Sequence, residues 1–183
     1  MNSASTSFYY NGYRQNAYNR QAAVQYALTY ALKPNPTYRY FPLVNDTSGD
    51  CANFVSQCLY AGGAPMIFSG SSQWFYNKNN TANTKDDTWS ISWSVAHSLY
   101  WYLKINAEKN NKAVKGFEVQ NTSGLNLGDL IFYEDYKGII FHSAIITSFN
   151  KIPLVSHHSY EALNIPYFRP YSYKKTHFLK IVI

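Results

Sequence analysis

No stretch of the 183-residue sequence stays apolar over the roughly 18 to 20 residues that crossing a bilayer requires. Charge is scarce as well, at 14% of residues, but 46% hydrophobic content keeps the chain far from the low-hydropathy, high-charge composition that prevents folding. The expectation is one soluble globular unit, long enough to bury a core without staples. The opening MNSASTSFYYNGYRQNAYNR lacks the basic and then apolar regions of a secretory signal. The chain therefore reads as a mature form or as one exported by another route.

Metal-binding spacings are missing too: neither HExxH nor CxxC occurs, so no metal and no cofactor is expected. Sixteen Lys and Arg against ten Asp and Glu give a net charge of +6 and a pI near 9.2. That balance favours contact with an anionic polymer without choosing one. Nucleic acid is disfavoured, because the basic residues are scattered, with no run longer than Lys174-Lys175, and no recognition motif is present.

Cysteine is nearly absent, with only Cys51 and Cys58. If both lie on one helix, their Cα atoms are about 10.5 Å apart at a rise of about 1.5 Å per residue. That separation is too long for a disulfide, so two free thiols are expected.

What is present divides into helical and then strand-like segments. Residues 1–15 are polar and Tyr-rich without period and read as an arm, leaving 16–183 as the domain. From Asn16 to Leu32, Ala17, Ala22, Val24, Ala27, Leu28 and Ala31 fall near one stripe, predicting a helix that stops before Pro34 and Pro36. In SGDCANFVSQCLYAGG, Cys51, Phe54, Val55, Cys58, Leu59 and Gly62 form one apolar face. Ser48 or Asp50 is placed to cap this second helix and Gly62-Gly63 to end it. Residues 69–92 read as a long surface excursion whose tryptophans continue to Trp93, and Ser94 to Ile105 as a third helix. After Phe117 the period moves toward two, through GDLIFYED, GIIFHSAIITSF, KIPLVSHHS and THFLKIVI. Helices followed by an antiparallel sheet predict an α+β fold.

The chemistry centres on Cys51. A helix N-terminus and a neighbouring imidazolium both stabilise a thiolate, and Cys51 sits in a first helical turn. Periodicity alone makes it a small core residue, the reading that Cys58 keeps. Of the five histidines, His142 opens HSAIIT and the pair His157-His158 follows about 15 residues later. That is the order of a base and then a group that orients it. His97 and His177 read as structural. Adjacent strand residues point to opposite faces, so only one of the doublet can join His142. Trp74, Phe75 and Tyr76 in a polar loop suggest part of a substrate groove, with Trp74 and Tyr76 the candidates.

Three segments, YNRQAAVQYALTYALKPNPTYRYF, GDCANFVSQCLYAGGAPM and GDLIFYEDYKGIIFHSAIIT, resemble the putative amidase domain family of bacteria, which is related to the NlpC/P60 and CHAP cysteine peptidases of the papain-like superfamily. LVSHHS and HFLKIVI resemble its closing strands, so the likeness runs from about Tyr18 to the end. It implies a papain-like domain, a nucleophile helix packed on an antiparallel sheet. Cys51 matches the nucleophile and His142 the base. The third polar position falls in SHHS, where the family carries a Gln-His-Thr-like run; that alignment names His158 as the orienter and leaves His157 as the alternative. Asp50 in the matched motif is either a helix cap or a site-supporting group, and Asn53 a polar contact beside it.

The function this implies is cysteine-dependent amide hydrolysis through an acyl-enzyme, with cell-wall peptidoglycan as the substrate and the bacterial wall as the place of action. A non-catalytic wall-binding module and a cysteine acyltransferase or transglutaminase are the alternatives.

Overall fold

The computed structural model describes residues 17–44, 49–168 and 173–183. The expected arm at 1–15 and the capping candidate Ser48 lie outside them. The chain starts with α1 (Arg20–Tyr30) and α2 (Cys51–Ala61). The short strands β1 (Tyr76–Asn77) and β2 (Thr88–Trp89) come next, then α3 (Ile91–Ser94) and α4 (Ala96–Glu108). Six further strands follow: β3 (Lys115–Val119), β4 (Leu130–Glu134), β5 (Ile140–Asn150), β6 (Ile152–His157), β7 (Ala162–Pro166) and β8 (Lys175–Val182). They form one antiparallel sheet in the order β3-β8-β4-β5-β6-β7, while β1 and β2 pair separately. The α+β expectation is met. Among the described residues no helix is long and apolar enough to cross a membrane.

Strand alternation gives the sheet two apolar faces. Leu130, Phe132, Ile145, Leu179 and Ile181 pack with the helices in the main core. Ile131, Tyr133, Ala144, Ile146 and Val155 form a smaller cluster on the other face, covered by Tyr167, Tyr173 and Phe178.

The GDL motif at β4 is structural. Gly128 turns the chain at φ +81, a conformation that side chains rarely adopt, and its carbonyl accepts from the Tyr18 hydroxyl at 2.9 Å. Asp129, fully buried, accepts from the Ile181 N–H at 2.8 Å, the Asn126 N–H at 2.8 Å and Arg20 Nη1 at 2.6 Å. Arg20 also donates to the carbonyls of Leu127 and Ile181, so one guanidinium joins the start of α1 to β4 and β8.

One expectation is overturned between residues 69 and 93. Trp74 and Trp93 are fully buried, their rings 4.8 Å apart. The segment's polar composition hides this, because its Ser, Asn and Asp side chains bond to backbone and to one another while the aromatic rings turn inward. The strand β7 was not legible either, since ALNIP shows no clean alternation.

His177 bridges β3 and β4 and meets α4 through the Tyr100 hydroxyl at 3.1 Å. Its Nδ1 lies 2.7 Å from Glu118 Oε1 and its Nε2 2.7 Å from Glu134 Oε2, while Lys104 reaches Glu118 at 2.6 Å. Burial pushes the Glu118 carboxyl up, but hydrogen bonds from Lys104, His177 and Tyr100 outweigh it and hold the pKa at about 2, against an ordinary 4.5. A carboxyl depressed by folding contributes stability that is complete above pH 4.5 and is lost as the pH falls through about 2. The thermal midpoint is therefore expected to drop across that window, and to drop less steeply in Glu118→Gln. Equal slopes in both chains would show that this network contributes nothing.

Candidate active site

Helix α2 begins at Cys51, and every residue from Cys51 to Leu59 is buried. Periodicity shows one apolar face, but the polar face is enclosed too, because each polar side chain on it finds a partner. Asn53 donates to the Arg39 carbonyl at 2.9 Å and accepts from Trp93 Nε1 at 2.7 Å. Ser56 donates to the Trp93 carbonyl and accepts from Trp74 Nε1; Gln57 accepts from the Tyr26 hydroxyl. Cys51 and Cys58 are both free and buried, as the spacing requires.

Cys51 stands at the first turn with 6% of its surface exposed. Burial pushes its thiol up from the ordinary value; the backbone and hydroxyl of Ser143 and the backbone of Ala52 act the other way, and the Asp50 charge adds to the rise. Burial raises Cys58 further, and no neighbouring side chain opposes it. The two thiols therefore differ in kind: polar groups from another element attend only Cys51.

Ser143 was not among the residues picked from the sequence. It shares with Ile145 the helix-facing side of β5, and that alternation was a readable signal for it. His142, one residue earlier, stands on the other side with Ala144 and Ile146. Its ring lies 5.6 Å from that of Tyr133 and 4.6 Å from that of His157, edge to face. The pairing of β5 with β6 ends at Ile145↔Ser156, so the His142–Ala144 stretch of β5 runs past the β6 ladder. Helix α2 packs against β5, so Cys51 and His142 belong to adjoining elements, with the imidazole on the strand's face away from the helix.

The two members of the histidine doublet are placed differently, and His157, the alternative, is the one whose ring lies beside His142. His157 is the last residue of β6, and its ring meets that of His142 edge to face. His158 falls in the turn after the strand. Its Nδ1 lies 2.5 Å from Asp50 Oδ2 and its Nε2 2.8 Å from the Tyr30 carbonyl, with the ring stacked on Phe54 at 4.1 Å. Both ring nitrogens are committed to these partners, so His158 does not orient His142.

Asp50 does occupy the N-cap position, but its side chain makes no capping hydrogen bond. The carboxylate instead accepts from the Phe41 N–H at 2.9 Å, Asn53 Nδ2 at 2.8 Å and His158, while its own N–H donates to Ser159 Oγ at 2.7 Å. Trp74 is unavailable to a substrate, at 0% exposure. Tyr76 is 3% exposed, its hydroxyl donating to Asp87 and accepting from the Arg39 N–H. Among the described residues no three His, Cys, Asp or Glu side chains are grouped to hold a metal ion.

Both partners of the Asp50–His158 pair are 1% exposed, so removing one leaves a buried charge uncompensated. His158→Phe is expected to destabilise the fold by about 3 to 5 kcal/mol in urea unfolding. A loss below about 1 kcal/mol, the size of an exposed pair, would show that the pair does not hold the site together.

The family model described as "Putative amidase domain" matches residues 17–181. The uncharacterized protein YhbB of Bacillus subtilis (strain 168) is 38% identical over 151 residues, covering 79% of this chain and 42% of its own length. The uncharacterized protein YjcM of the same organism is 31% identical over 158 residues, 81% of this chain and 32% of its own length. The chain thus spans less than half of either relative. No solved structure matches it significantly. With nearly all of its described residues inside the matched region, the chain belongs to the putative amidase domain family.

Proposed function

We propose that this chain is a cysteine-dependent amide hydrolase with a papain-like arrangement, residues 16–183 forming one catalytic domain. The observation that carries the reading is the placement of Cys51: a thiol at the first turn of a buried helix that packs against β5, the strand of His142. Cys58 lies mid-helix, away from the unpaired N–H groups of that first turn.

In this reading the ring of His142 comes round the strand to Cys51 as the substrate settles and takes its proton. The sulfur attacks the amide carbonyl and forms a tetrahedral intermediate. Its oxyanion meets the N–H groups of the first turn of α2, which have no carbonyl partner within the helix. The imidazolium then protonates the departing amine, and water activated by His142 releases the acyl group. His157, edge-on to His142, is the orienting group, and His158 and Asp50 are supports. No cofactor takes part. The net charge of +6 and membership of an amidase family of bacterial relatives favour peptidoglycan as the substrate.

Burial of the thiol sets a pH dependence. A raised thiol pKa means little thiolate at pH 7, so alkylation of Cys51 by iodoacetamide is expected to be slow there and to rise with pH beyond the ordinary 9.0. A rate already at its plateau near neutrality would replace this with a resting thiolate–imidazolium pair. The function itself is tested on purified cell wall. Cys51→Ala is expected to abolish clearing with an unchanged circular dichroism spectrum, and His157→Ala to slow it without lowering the thermal midpoint. Clearing undiminished by Cys51→Ala would overturn the hydrolase.

A wall-binding module without chemistry is favoured by one observation, the position of His142 on the opposite face of β5 from Ser143. Wall binding by the unsubstituted chain, with no clearing and no alkylation of Cys51 at any pH below denaturation, would establish it.

A further inference from the structure

The face of α2 turned away from β5 carries a second feature. Tyr60 follows Cys51 by nine residues, which at about 100° per residue places the two on opposite sides of the helix and at about 1.5 Å per residue separates them by about 13 Å along it. Around Tyr60 lies a groove of 530 Å³ lined by Tyr38, Tyr60, Met66, Phe68, Tyr76 and Lys78. Buried side chains of the Trp74–Trp93 layer hold its aromatic floor. Tyr38 lies 4.9 Å from Tyr76 and is stacked parallel to Trp93, and Tyr60 meets Trp93 edge to face. Phe68 stacks on Phe75 at 4.9 Å. These rings are fixed before any ligand arrives, yet Tyr60 is 46% and Phe68 56% exposed.

The groove offers the phenols of Tyr38 and Tyr60 and one ammonium, that of Lys78. Lys78 Nζ stands 4.2 Å over the Tyr38 ring and donates to Thr37 Oγ1 at 3.0 Å, which keeps the ammonium at the groove wall. Partial burial lowers its affinity for the proton, opposed by the charge of Asp87, and an incoming anion would act in the same direction as Asp87. The Tyr38 phenol lies near enough to Tyr60 for a charge there to raise it, and no hydrogen bond among the described residues uses either hydroxyl. Exposed ring faces, two phenol hydroxyls and one ammonium match a pyranose that bears a carboxylate. Its C–H face covers a ring, its hydroxyls reach the phenols and its carboxylate reaches Lys78.

The geometry points to this groove as a binding site for an acidic saccharide, separate from the thiol. The identification of that saccharide with the glycan of the cell wall rests on the proposed function; the groove does not. Segment 38–41 links the two places, since Tyr38 lines the groove and the Phe41 N–H is held by Asp50 at the start of the nucleophile helix. A glycan held on Tyr60 would thus be anchored behind the helix whose first turn carries out the chemistry.

The test is calorimetric titration of the full chain carrying Cys51→Ala with peptide-free glycan strands, which bear a lactyl carboxylate on every second sugar, and with neutral N-acetylglucosamine oligomers. The expected result is binding of the strands in preference to the neutral oligomers. Tyr60→Ala and Phe68→Ser, both at exposed rings, should weaken strand binding by about tenfold, the loss of one good stacking contact. Lys78→Gln should abolish the preference for the carboxylate while retaining binding of the neutral oligomers. Thermal midpoints of the variants confirm folding. Failure to bind strands, or binding indifferent to Tyr60→Ala and Phe68→Ser, overturns the site; equal binding of both probes overturns the carboxylate. Wall clearing without strand binding would remove the groove alone, and strand binding without clearing would remove the hydrolase alone.

Discussion

The arrangement depends on one buried carboxylate. Asp50 is 1% exposed, and an unpaired charge at such a place would cost more than a small domain has to spare. It is satisfied from three directions: the backbone of Phe41, the amide of Asn53 and the ring of His158. Each belongs to a different part of the chain, and His158 passes the constraint on to the last carbonyls of α1 through Tyr30. The first turn of α2 is therefore located by electrostatics as well as by packing, and Cys51, next in sequence, goes where Asp50 goes. Phe54, one turn on, is stacked on the same imidazole and joins the apolar core to the ionic pair.

The second layer of support is aromatic. Trp74 and Trp93 lie over the polar face of α2 and give their indole N–H groups to Ser56 and Asn53. A helix with polar residues on its outer face normally shows them to water. Here they form the interface to a loop layer, so the helix that carries the thiol is clamped between the sheet on one side and tryptophans on the other. Such a clamp limits motion of the helix and of the thiol at its start.

Much of this was legible in the sequence, and the failures share a cause. The apolar stripe of SGDCANFVSQCLYAGG and the alternation in GDLIFYED and HFLKIVI are local signals, and α2, β4 and β8 follow them. The position of Cys51 at a helix start was equally local. The choice between His157 and His158 was not, because it turns on where β6 ends, and His158, in the turn beyond it, pairs with a residue more than a hundred positions earlier. Trp74 was misjudged for the same reason: its neighbours are polar in sequence, but its partner Ser56 comes from α2. Ser143 could have been found by carrying alternation one step beyond His142, toward the helix-facing Ile145.

The sheet order carries a consequence for how such a chain comes off the ribosome. The strand β8, last of the eight in chain order, lies between β3 and β4, and its Ile181 meets both Asp129 and Arg20. Until residues 175–182 have emerged, β3 and β4 each present a bare edge, and α1 lacks part of its anchor. Helix α2 packs on a sheet that cannot close until then. Synthesis thus delivers the thiol early and part of its surroundings late, through contacts that are long in sequence.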